Sequence, residues 1–99
     1  MIITFQYVKI QESDTLSAAT IEHLNKLNKK YPELIRAQVY FKVENTSAAA
    51  HQICEIEISA PGPRLFATTT AVHFETAMKE TISDLDKQLS KRKGILNTH

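Results

Sequence analysis

The stretch AQVYFKVE, residues 37–44, alternates apolar and polar side chains over its whole length. Val39, Phe41 and Val43 point one way, and Gln38, Tyr40, Lys42 and Glu44 point the other. A period of two built from β-branched and aromatic residues marks a strand with one dry and one wet face. A sheet made of such strands needs cover on one side only. The rest of the chain must supply more sheet and that cover.

Downstream, NTSAAAH reads as a loop. QICEIEIS at 52–59 then alternates again, with Cys54, Ile56 and Ile58 inward and Glu55 and Glu57 outward. APGP at 60–63 is a turn, and RLFATTT at 64–70 is a threonine-rich strand. Upstream, IITFQY at 2–7 sets Ile3, Phe5 and Tyr7 on one side. Between that strand and AQVYFKVE lies a helical pattern. Ser13 is its N-cap, and Asp14 complements the dipole in its first turn. Leu16, Thr20, Leu24, Leu27 and Tyr31 form its apolar stripe, with Thr20 the weak point. Pro32 disfavours helical geometry in the preceding residue, so the helix ends near Lys30 or Tyr31. The spacing of Phe74, Ala77, Met78, Ile82, Leu85 and Leu89 predicts a second helix over 72–92, with Gly94 as its C-terminal cap. The order is β-α-β-β-β-α. It predicts a single α+β domain over 1–99: a four-stranded sheet with both helices packed on one face. The arrangement is like a double-stranded-RNA-binding domain with an extra N-terminal strand.

Composition sets the class. Apolar residues make up 42% of the chain and charged residues 23%, which suits a packed globular core. The N-terminus lacks the basic and apolar segments of a signal peptide, and no run is long enough to span a membrane. Cys54 is the single cysteine, so no intramolecular disulfide forms. A cytoplasmic protein with no membrane partner is expected.

The residues offer little chemistry. His23, His51, His73 and His99 are scattered, and no nucleophile elbow, phosphate loop or dinucleotide fingerprint occurs. His51 and Cys54 form an H-x-x-C without the second pair that a zinc site requires. Cys54 alternates with buried isoleucines and reads as a small core residue. Glu55 and Glu57 read as a solvated sheet face. No catalytic activity, metal or cofactor is expected.

The cations are the unusual feature. The net charge is only +1, but it is segregated. Residues 51–86 hold two cations against six acids, a net of −4; residues 87–99 hold Lys87, Lys91, Arg92 and Lys93 and no acid, a net of +4. Lys26, Lys29 and Lys30 add a second group near the end of the first helix. Cations at a helix end answer the dipole at about 0.3–1 kcal/mol each, and one or two suffice for that. Lys26 and Lys30 stand one turn apart, as do Lys87 and Lys91, so side-by-side helices would line one groove with both rows. Such spacing suits a phosphate backbone. It equally suits a solvated helix end.

The run KLNKKYPELIRAQVYFKVE at 26–44 resembles the KLE-x-YF and L-K-V-E stretches of the ribosome hibernation-promoting factors, also called the sigma-54 modulation or ribosome-associated inhibitor family. DKQLSKRKGIL at 86–96 is similar to that family's ARQL-x-K-x-K-x-x-L ending. Element order and spacing between these segments agree as well. The resemblance implies a non-catalytic domain on the small ribosomal subunit, over the decoding centre, where it blocks the messenger and transfer RNA sites and promotes hibernation in starvation or stationary phase. It implies that Lys26, Lys29, Lys30, Lys87, Lys91 and Arg92 hold ribosomal RNA, with Lys93 an addition and Lys42 matching the lysine of the L-K-V-E strand. HFETAMK at 73–79 departs from the family pattern at His73, Glu75 and Lys79. Asp84 and Asp86 put negative charge where relatives often carry lysine or a neutral residue.

Long members of that family carry a second, dimerising domain. No residues remain here for one after the basic helix, and the outward sheet positions are polar except for Tyr40, so a monomer is expected. Ribosome dimers would then need a second small factor, as in short members. Other readings of the same residues are a general structured-RNA-binding module and a structural or oligomerising domain without an RNA role.

Overall fold

The computed structural model describes residues 1–45 and 50–97, with the side chains of 50 and 93–97 excepted. Four strands, β1 (Ile2–Tyr7), β2 (Arg36–Asn45), β3 (Ala50–Ser59) and β4 (Leu65–Ala71), form one sheet in the order β1-β2-β3-β4. Helix α1 (Asp14–Lys30) joins β1 to β2, and α2 (Phe74–Asn97) follows β4. β1 pairs parallel with β2 after the helical crossover, and β2, β3 and β4 make an antiparallel meander. Most of the NTSAAAH stretch, residues 46–49, lies outside the described residues.

The alternation read from the sequence sets the core. Val39, Phe41, Cys54, Ile56, Ile58 and Ala67 are buried beneath Leu24 and Leu27 of α1, Tyr31 just after it, and Ala77, Met78, Ile82, Leu85 and Leu89 of α2. Both helices therefore cover one sheet face. Val43 is only half-buried, because it lies near the far end of its strand. Thr20 belongs to the core because its hydroxyl donates to the Leu16 carbonyl at 2.7 Å. Thr81 is buried in the same way, donating to Ala77 at 2.7 Å. A satisfied hydroxyl removes most of the penalty for burying it.

Local signals fix the helix starts. Ser13 accepts from the Leu16 backbone N–H at 3.2 Å, the N-cap contact expected from its position. The Tyr7 hydroxyl donates to the Ser13 carbonyl at 3.0 Å and lies 2.7 Å from Ser17 Oγ, tying α1 to the end of β1. For α2 the cap comes from another strand: Gln52 Oε1 accepts from the Phe74 N–H at 2.6 Å.

Three expectations change. Helix α2 starts at Phe74 rather than 72 and runs through Gly94 to Asn97 instead of ending at a glycine cap. Glycine inside a helix costs about 1 kcal/mol relative to alanine, and no proline follows to force an exit. Tyr40 is half-buried, so it is not the exposed aromatic of the sheet. That place belongs to Phe66, 51% exposed opposite Glu57, because Ala67 takes the inward position of β4. Ile53 also lies on the outer side, opposite Lys42 and Thr70, yet it is only 7% exposed.

His51 and Cys54 are an odd number of residues apart on β3, which puts them on opposite sheet faces. Among the described residues no group of three or more His, Cys, Asp or Glu side chains is placed to hold a metal ion. Burial pushes the Cys54 thiol up to about 12. Among the described residues, no helix is long and apolar enough to cross a membrane.

Candidate nucleic-acid interface

β1, β2 and β4 run one way, and each helix returns across the sheet, so α1 and α2 lie parallel. Helix α2 has 24 residues and α1 has 17, about 36 Å against about 26 Å. The second half of α2 lies along the start of β4 and the turn before it. Gln88 donates to the Phe66 carbonyl at 3.1 Å, and Arg92 donates to the carbonyls of Pro61 and Pro63 at 2.6 and 3.0 Å. Gly62 sits under that guanidinium with φ +98°. Any side chain there would meet both an unfavourable backbone conformation and the Arg92 group.

The seam between the helices opens outward, away from the sheet. One depression of about 380 Å³ is lined by Lys30, Asp86, Lys87, Ser90 and Lys91. A second, of about 240 Å³, is lined by His23, Lys26, Leu27, Lys30, Ile82 and Asp86. They share Lys30 and Asp86 and so form one groove. Lys26 and Lys30 line it from α1, and Lys87 and Lys91 from α2.

Asp86 is the acid at the centre of this groove. Lys30 Nζ lies 3.0 and 3.1 Å from its two carboxylate oxygens, and the Tyr31 hydroxyl donates to Oδ1 at 2.8 Å. Its hydrogen bond to Asp86 raises the Lys30 ammonium pKa, against the opposing effect of desolvation. Burial acts to raise the Asp86 carboxyl pKa, but the hydrogen bonds from Lys30 and Tyr31 and the Lys30 charge outweigh it and hold it below the usual value. Burial and the same hydrogen bond push the Tyr31 phenol up. The carboxylate is therefore ionised at neutral pH.

The groove brings together Lys26, Lys30, Lys87 and Lys91. Lys26 also lies 3.6 Å from Glu22, an exposed pair one turn away that holds it weakly. Lys29 is exposed in the last turn of α1 but lines neither depression. Arg92 turns aside to the β3–β4 turn. The Lys93 side chain lies outside the described residues. Lys42 is on the opposite face of the sheet, 2.8 Å from Glu55. The role of Asp86 escapes sequence reasoning because its partners Lys30 and Tyr31 are 56 and 55 residues away, and only the helix register brings them together. His23 and Ser90 join the lining for the same reason.

A β-α-β-β-β-α chain with two parallel helices on one face of a four-stranded sheet is an α+β domain, and here a lysine-lined seam runs between the helices. The chain belongs to the Sigma 54 modulation protein / S30EA ribosomal protein family, whose model matches residues 3–97. Among solved structures, a ribosomal subunit interface protein from Coxiella burnetii superposes with a TM-score of 0.85 at 19% identity, over 95% of this chain and 99% of that one. The N-terminal domain of Protein Y from Thermus thermophilus gives a TM-score of 0.79 at 16% identity, over 92% and 98%. At such identities these likenesses establish the fold. A sequence search among curated proteins finds no match.

Proposed function

We propose that this chain is a ribosome-associated translation inhibitor. It docks on the small subunit near the decoding centre with the inter-helical groove against ribosomal RNA. There it blocks the messenger and transfer RNA sites and favours hibernation in stress or stationary phase. It performs no chemistry. One observation carries this: in a chain of a ribosomal-protein family, two helices converge four lysines on one groove. Each lysine placed on a phosphate releases condensed counterions, which gives affinity without base readout. Lys26, Lys30, Lys87 and Lys91 are the central contacts, with Lys29, Arg92 and Lys93 beside them. Lys42 would need a separate contact from the other face. The protein acts as a monomer in the cytoplasm, and ribosome dimers would require a second small factor.

The test is co-sedimentation with purified small ribosomal subunits across a salt series. The protein should pellet at low salt and be released steeply as salt rises. Equal retention by free duplex RNA would favour a general structured-RNA binder, and no pelleting at any salt would remove the RNA role.

A further inference from the structure

The groove contains a feature that a phosphate-binding surface has no need of, namely an ionised acid at its midpoint. Asp86 is held there from two sides. Lys30 meets both carboxylate oxygens at 3.0 and 3.1 Å, and Tyr31, itself only 2% exposed, donates to Oδ1 at 2.8 Å. Both depressions share this pair, so a polyanion lying along the groove passes over it. The lining carries four lysines and one acid, a net of +3 with Asp86 and +4 without it. Lys30 is the lysine closest to the midpoint, and its ammonium is already occupied.

We propose that Asp86 is a built-in counter-anion that weakens the groove's hold on its nucleic acid. The carboxylate takes the place on Lys30 that a backbone phosphate would otherwise fill. A phosphate can reach Lys30 only by displacing Asp86 or by tolerating a like charge beside it. Asp86 thereby sets the affinity and its salt dependence, while the outer lysines Lys26, Lys87 and Lys91 supply the attraction. A carboxylate that merely oriented Lys30 toward the ligand would have the opposite effect, because its removal would weaken binding. The charge count favours attenuation: the lining nets +3 with Asp86 against +4 without it, so a phosphate that reaches Lys30 meets a like charge there.

This inference rests on the proposal that the groove binds RNA, so the experiment keeps the two separable. Wild type, Asp86→Asn, Asp86→Ser and Tyr31→Phe, each as the 99-residue chain, are compared by elution salt on immobilised heparin, a plain polyanion, and by co-sedimentation with small ribosomal subunits. Asn is nearly isosteric and can still accept from Lys30 and Tyr31, and thermal melts check that each variant is folded. Removing the charge should raise the elution salt and tighten subunit binding several-fold. It should also steepen the log–log salt dependence by about 0.7–0.9, the contribution of one more neutralised phosphate. Tyr31→Phe loosens the carboxylate but keeps its charge, and should show no such gain. Equal or lower elution salt for both Asp86 variants overturns the inference, as does an equal gain in Tyr31→Phe, which would trace the effect to loosening. If wild type fails to pellet with subunits, the ribosomal proposal falls, and the heparin series still decides whether Asp86 restrains the groove.

Discussion

The two broad faces of this molecule carry the same kinds of residue to different ends. On the open sheet face, Lys42 lies 2.8 Å from Glu55, and Arg64 lies 3.0 Å from Glu57. Each of these two cations has its own acid nearby, and such a face presents little field to a distant ligand. In the groove on the helix side, four lysines meet a single lining acid, Asp86, and Lys26 has only the weak exposed contact with Glu22 besides. A net charge of +1 for the whole chain hides this contrast. Field at a surface follows from how charges are grouped on it and how many are already matched.

One packed layer holds the two faces apart. Phe41 and Leu85 sit at the centre of that layer, both fully buried. Truncating either to alanine should cost about 2–5 kcal/mol in a denaturant melt. A loss below about 1 kcal/mol for both would mean that the helices are not held by this core.

Charge reversal on the helix side is the next largest effect. Lys87→Glu with Lys91→Glu should reduce subunit binding at least tenfold, about 1.4 kcal/mol, and leave the melt nearly unchanged. Unchanged co-sedimentation would erase the distinction between the faces.

The core also contributes a pH dependence. The Cys54 thiol has a folded-state pKa near 12 against an ordinary value of 9.0. A raised pKa means stability that is complete below pH 9 and declines as pH rises toward 12. The slope for one proton is at most about 1.4 kcal/mol per pH unit. Lys30 and Tyr31, also raised, act in the same direction at high pH. Alkaline melts of Cys54→Ala should therefore fall less steeply than those of wild type, and identical slopes would place the thiol in contact with solvent. The smallest effect sharpens the contrast most: Lys42→Ala should cost less subunit affinity than Lys91→Ala. The reverse ranking would move the interface to the sheet.

Much of this architecture is legible in the sequence because it depends on short-range periodicity. The alternation of Val39 with Phe41 and of Cys54 with Ile56, the Ser13 cap and the Pro32 stop are all local. The two lysine rows are legible for the same reason, since each is a one-turn repeat on its own helix. Long-range geometry is harder to read. The pairing of Lys30 and Tyr31 with Asp86 needs the register of two helices. The diversion of Arg92 to the turn needs the path of the β3–β4 connection. Gly94 misleads because glycine is a frequent terminator, yet its cost of about 1 kcal/mol does not by itself stop a helix where no proline follows. Lys42 matches the lysine of a family motif, while its own strand alternation points it away from the helices.

The hydrogen bonds from Arg92 to Pro61 and Pro63 give the second half of α2 the mechanics of a beam resting on a support. Lys87 and Lys91 ride on that beam, whereas Lys26 and Lys30 belong to a separate one. Gly62 keeps the support low, since a side chain there would lift the guanidinium. A lengthened APGP turn would take this rest away from Arg92 and leave Leu85 and Leu89 to hold that half of α2 to the sheet. The half of α2 that carries Lys91 is thus tied at its next residue to a hairpin outside the groove lining.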